Sequence, residues 1–139
     1  MNASIVYRRE AAVSVSEFRR VLVESGMGSG RPVADERRLE ALLHGANLII
    51  TARLNNDSRL LVGIARCVTD FSWCCYVPDL AVSGSMQGHK VGTNLLDELR
   101  RELGSQVSLV LLSYPDAVGF YEKIGMVRVS DAFCYERAC

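Results

Sequence analysis

The sequence predicts a mixed α+β fold in the element order βααβββαβαβ(β), and three patterns predict it. Two early segments, near residues 15–22 and 39–46, carry apolar residues at helical spacing. Residues 47–82 read instead as apolar, β-branched runs separated by turn residues, the mark of antiparallel strands. Beyond residue 82 helix and strand alternate, which implies a strand–helix–strand crossover in the second half.

The elements follow in order. Residues 2–8 predict a first strand. Ser14-Val15-Ser16-Glu17 offers a capping box, with Ser14 at the helix start and Glu17 reaching back. Val15, Phe18, Val21 and Leu22 give that helix one apolar face. Gly26, Gly28, Gly30 and Pro32 stop it and form a glycine-rich loop. A second helix starts near Asp35, with Leu39, Leu42, Leu43 and Ala46 inward and Arg37, Arg38 and Glu40 outward. Residues 47–54 and 59–69 form a hairpin across the turn Asn55-Asn56-Asp57-Ser58. After a turn at Phe71-Ser72-Trp73, residues 74–82 make a strand that Pro78 interrupts. Proline cannot donate to a ladder, so Pro78 marks a bulge or a point where pairing lapses. Val91, Leu95, Leu96, Leu99 and Leu103 form an amphipathic helix that Gly104 ends. The apolar run 107–112 predicts a strand buried on both faces. Pro115 opens a helix through Ala117, Phe120, Tyr121 and Ile124, closed by Gly125. Residues 126–137 predict a last strand or hairpin. Its Phe133 and Tyr135 offer an apolar surface for a homodimer.

The bulk properties narrow the function. A length of 139 residues suits one domain over 1–139. Sixteen basic and sixteen acidic residues cancel, so no broad field favours nucleic acid or an anionic membrane. No apolar run is long enough to span a bilayer. The short apolar start is followed by Arg8 and Arg9, the reverse of a secretory signal, so a cytoplasmic location is expected. Five cysteines form no CxxC pair, and His44 and His89 add no ligand spacing, so no metal is expected. The cysteines read as small, buried and reduced.

One stretch carries chemistry. Leu80-Ala81-Val82 ends a strand, Gln87-Gly88-His89-Lys90-Val91-Gly92-Thr93 makes a turn low in bulk, and a helix follows. The first amides of a helix have no internal partner and lie at the positive end of its dipole. Such a turn can cradle a phosphate. It can equally be a plain turn made with two glycines. It is neither a P-loop nor GxGxxG.

Here a resemblance enters. Gln87-x-x-Lys90-x-Gly92 resembles the acetyl-CoA signature of the GNAT (GCN5-related N-acetyltransferase) family, Gln/Arg-x-x-Gly-x-Gly/Ala. Leu80-Ala81-Val82 is similar to the end of that family's fourth strand. Ala117-Val118-Gly119-Phe120-Tyr121-Glu122-Lys123-Ile124-Gly125-Met126 resembles its A-x-x-FYEKLGF segment. Two departures stand out: Lys90 replaces the middle glycine, and Tyr114 stands where many members carry an asparagine that holds pantetheine.

The resemblance implies an N-acetyltransferase with a GNAT-like fold, in which an amine attacks the thioester of acetyl-CoA within a ternary complex. It implies cofactor contacts at Leu80, Ala81, Val82, Gln87, Gly88, His89, Lys90, Val91, Gly92, Thr93, Tyr114 and Ala117. Lys90 either costs stability or reaches a phosphate. Tyr121 is the candidate acid for the leaving thiolate, against a reading as one more half-buried aromatic. Asp79 is the candidate base, directly or through a water, against a surface or strand-end carboxylate, and Arg31 is a candidate substrate contact on the glycine-rich loop. The acceptor is a small-molecule or peptide amine that no motif identifies. The alternatives are an acyl-CoA-binding sensor or interaction module without turnover, and a domain whose glycine turn is structural only.

Overall fold

The structure is a computed structural model that describes residues 4–138. Asn2 and Ala3 of the expected first strand lie outside the described residues, as does Cys139. The strands are β1 (Ile5–Arg9), β2 (Leu48–Leu54), β3 (Leu61–Thr69), β4 (Cys74–Val82) and β5 (Ser108–Val110), and they lie in that order in one sheet. The first three junctions are antiparallel and β4–β5 is parallel. The helices are α1 (Val15–Glu24), α2 (Glu36–Gly45), α3 (Val91–Leu103) and α4 (Val118–Lys123).

Local chemistry sets the helix ends. The Glu17 amide donates to Ser14 Oγ while the Glu17 carboxylate accepts from the Ser14 amide, a complete capping box on α1. The Asp35 side chain caps α2 by accepting from the Arg38 amide at 3.1 Å. Caps of this kind contribute about 1 kcal/mol each. Both matter here because α1 and α2 flank the loop that reaches the site.

Helices cover the two faces of the sheet. On one face Phe18, Val21 and Leu22 of α1 and Leu39 and Leu43 of α2 bury Ile49, Leu61, Ile64 and Ala81. On the other, Val91, Leu95, Leu96 and Leu99 of α3 bury Leu48, Ile50, Ala52, Cys67, Cys75 and Val77. Each fully buried aliphatic side chain contributes roughly 1.5–3 kcal/mol. At Gly63 a Cβ would stand 2.9 Å from Val91 Cγ1, so the glycine lets α3 lie directly on β3.

Two expectations fail at the far edge of the sheet. The run 107–112 is not buried on both faces: β5 covers only Ser108–Val110, with Val110 and Leu112 exposed. No strand forms over residues 126–137, and Phe133 and Tyr135 are wholly exposed. The two failures are linked. With no strand on its outer edge, β5 pairs with β4 alone and its apolar side chains meet solvent. An apolar run reports that a segment prefers burial, not that a neighbour is present. The cysteines also divide: Cys67 and Cys75 are buried, Cys74 and Cys134 exposed.

Candidate active site

Pro78 creates the site. The β3–β4 register slips between Arg66 and Val68, so two residues of β4 oppose one of β3 at Val77-Pro78. The side-chain alternation reverses across this bulge. Before it Cys75 and Val77 face α3; after it Leu80 and Val82 do, and Ala81 faces α1. Beyond the bulge the Ser83 amide donates to the Val62 carbonyl of β3 at 2.9 Å. Alternation along an antiparallel ladder then turns Ala81 toward β3 and directs the main-chain groups of Leu80 and Val82 the other way. On that side β5 has already parted, since its last pair is Tyr76 with Val110. Of the three expected donors, Leu80 and Val82 face the gap and Ala81 does not. Two carbonyls on the same edge are taken by side chains: Pro78 by Arg31 Nη2 at 2.7 Å and Val82 by Gln87 Nε2 at 3.1 Å.

The N-terminus of α3 lies at the Val82 end of the gap. Gly88 (φ 87°) and Lys90 (φ 63°) both adopt left-handed backbone. This lets the chain turn from the short 3-10 turn Gly84–Met86 into α3 without a side-chain cap. The Asn94 amide makes the first intrahelical bond, to the Lys90 carbonyl at 2.9 Å. The amides of Val91, Gly92 and Thr93 therefore keep no intrahelical acceptor and point out of the helix end. Gln87 is a staple, bonded to Val82, and His89 Nδ1 lies 3.3 Å from the Gln87 carbonyl within its own loop. The Lys90 side chain is exposed.

The third wall is α4. Tyr121 is half-buried against the α3-side core and sits edge-to-face with Phe120, centroids 5.0 Å apart. Burial pushes its phenol above the ordinary tyrosine range. Ala117 closes the 3-10 turn before α4, its amide donating to the Tyr114 carbonyl at 3.0 Å.

Asp79, the candidate base, is held between two arginines. It is fully buried, and each oxygen is met by a guanidinium: Oδ1 by Arg31 Nε at 2.5 Å and Oδ2 by Arg66 Nε. A base needs a free lone pair within reach of the substrate proton. In Asp79 each oxygen already accepts from a cation, and the carboxylate is fully buried. Arg31, the candidate substrate contact, also donates to the carbonyls of Gly30 and Pro78 and to the Tyr114 hydroxyl. Burial works against the charge of Arg31, but Asp79 and, after it, Tyr114 together offset this and hold it above its ordinary value.

A sequence model of the acetyltransferase (GNAT) family matches residues 16–126. The chain belongs to the GNAT acetyltransferase family. An uncharacterized N-acetyltransferase, ycf52, from Porphyra purpurea is 29% identical over 93 residues, covering 66% of this chain and 53% of the relative. The chain thus spans about half the length of the curated relatives it matches. Among solved structures, a GNAT family acetyltransferase from Streptococcus pneumoniae is 25% identical with a TM-score of 0.70, covering 98% of this chain and 97% of that one. The aminoglycoside N-acetyltransferase AAC(6')-Iy, solved with CoA, has the same fold at 12% identity and a TM-score of 0.69, covering 100% of this chain and 98% of that one. It is also known in complex with a bisubstrate analogue of CoA and monomethyl-acetylneamine.

Sequence reasoning missed Arg66. It lies within the otherwise apolar run Leu61–Thr69, is 6% exposed, and braces Asp79 while donating to the Leu42 carbonyl at 3.1 Å. A lone arginine inside a strand buried along nearly its whole length demands a buried acceptor. The one carboxylate on β4, Asp79, could have been matched to it.

Proposed function

We propose that this protein is an N-acetyltransferase that moves an acetyl group from acetyl-CoA to a primary amine by direct attack. The observation that carries the reading is the combination of a gap edged by the Leu80 and Val82 amides with free helix amides at its end. An anion at Val91–Thr93 meets unpaired N–H groups and the helix dipole. An extended amide-bearing chain along β4 meets the remaining donors. These suit the pyrophosphate and pantetheine of CoA, and a neighbour of the same fold is solved with CoA.

The residues then divide the work. The thioester supplies an activated acyl carbon. A Leu80 or Val82 amide stabilises the oxyanion, as preorganised donors do in water-poor sites. Tyr121 protonates the departing thiolate; its raised affinity for the proton keeps it in the donor form at neutral pH. The attacking amine must arrive unprotonated, which for an alkylamine with a pKa of about 10 favours mildly alkaline conditions. As the C–N bond forms and the C–S bond breaks, the nitrogen gives up one proton to solvent water, and the phenolate left on Tyr121 regains a proton from solvent, so Asp79 takes no proton in this scheme. The acceptor is a small-molecule or peptide amine; the bisubstrate analogue CoA-S-monomethyl-acetylneamine bound by the aminoglycoside N-acetyltransferase illustrates the small-molecule class.

The experiment is CoA release from acetyl-CoA across a panel of primary amines, with Tyr121→Phe in parallel. Transfer that falls about 100-fold in the variant, mainly in kcat, supports the scheme. Tight CoA binding with no transfer to any amine would favour the non-catalytic acyl-CoA-binding reading instead.

A further inference from the structure

At the Pro78 end of the gap, Arg31 joins three separate parts of the chain. Its Nε bonds Asp79 on β4, Nη2 bonds the Pro78 carbonyl, and Nη1 bonds Gly30 of its own loop and the Tyr114 hydroxyl at 3.0 Å. Tyr114 belongs to the segment that follows β5, on the opposite side of the gap. Gly30 completes the fit, because a Cβ there would collide with the Tyr114 hydroxyl. The loop between α1 and α2 is thereby fastened across the opening.

This closure lies where the chemistry would occur. Pro78 is four residues from Val82, about 13 Å along a strand. On the acetyl-CoA reading, phosphates at α3 and a chain running along β4 bring the thioester under this closure. We propose that the Arg31–Tyr114 contact, seated on Asp79, is a clasp over the acceptor-side mouth that restricts entry to slender amines. Its two halves are unequal. The Asp79 half is charged and buried; the Tyr114 half is one hydrogen bond to a neutral hydroxyl and a cation–π contact 6.0 Å from the ring centroid, to a residue that is 42% exposed. The clasp therefore opens at Tyr114 while Arg31 stays on Asp79. Gly26 (φ 88°) starts the loop on its α1 side in a backbone conformation that suits glycine. The tyrosine that departs from the family pattern thus gains a role of its own.

The test reads access to the site without needing an acceptor. Wild type, Tyr114→Ala, Tyr114→Phe and Gly30→Ala are each saturated with CoA, binding being established first by thermal shift. The bound thiol is then challenged with methyl methanethiosulfonate or a bulky aromatic methanethiosulfonate. The CoA mixed disulfide is quantified by chromatography, so the protein's own cysteines do not enter. Wild type should prefer the small reagent more strongly than free CoA does, and all three variants should lose that preference by about tenfold. Equal size preference in all four proteins overturns the clasp. Loss in Tyr114→Ala alone assigns the barrier to ring bulk and also overturns it. Failure of CoA to bind any of the four is a distinct result: it removes the acetyl-CoA reading and the clasp with it.

Discussion

Gly92 on the first turn of α3 lies against the ring of Phe120 on α4, where a Cβ would stand 3.2 Å from Phe120 Cζ. The absent side chain lets the helix that carries Tyr121 approach the helix end that offers its amides. Phe120 is partly exposed and gives way to a methyl group, but not readily to a branched side chain. Gly92→Val should cost about 1–3 kcal/mol in urea unfolding. It should also reduce the melting shift given by CoA. A full CoA shift in a destabilised variant would show that the Gly92–Phe120 contact serves stability only.

Lys90 carries a backbone conformation that suits glycine, and glycine stands there in the family pattern. The left-handed region costs a side-chain-bearing residue about 1 kcal/mol. Lys90→Gly should therefore raise stability by up to about that amount, less the added freedom of the unfolded chain. CoA affinity measured alongside decides the role of the ammonium group. Unchanged or tighter binding leaves Lys90 as a strained spacer; weaker binding assigns it to a phosphate.

Removing the charge of Asp79 leaves Arg31 and Arg66 converging on a neutral group. Breaking a buried pair in this way costs about 3–5 kcal/mol. Asp79→Asn should show that loss in urea unfolding. A variant that kept wild-type stability and lost only the rate would restore Asp79 as the base.

Asp70 gives a pH signature remote from the site. Its carboxylate accepts from the amides of Trp73, Ser72 and Cys74 in the turn between β3 and β4, which lowers its pKa from 3.8 to about 2. A depressed folded-state pKa contributes stability that is present above the unfolded value and lost as pH falls through the folded one. The stability gap between wild type and Asp70→Asn should be full at neutral pH and close between 3.8 and about 2. A gap that stayed constant across that window would mean that the charge does not hold the turn.

What the sequence made legible follows from how local each signal is. The capping box at Ser14, the bulge at Pro78 and the apolar stripe of α3 are short-range patterns, and all three stand in the structure. The alternation of β4 is set by the bulge, so separating Leu80 and Val82 from Ala81 among the three expected donors needed its exact place. Asp79 was read as a candidate base and Arg31 as a candidate substrate contact; their mutual engagement is a contact between residues far apart in sequence. No periodicity encodes such a pairing. The final segment misled because Phe133 and Tyr135 signal a wish for burial and nothing about what supplies it.

The most direct test of the account is thermal unfolding with millimolar acetyl-CoA, CoA or ATP. A ligand that binds only the folded state must stabilise it, by about 2.7 kcal/mol at a concentration 100-fold above Kd. The account predicts a rise of several degrees with acetyl-CoA and CoA, and none of that size with ATP. No rise with either CoA species would contradict it, and would leave the gap beside β4 and the free amides of α3 as features of the fold alone.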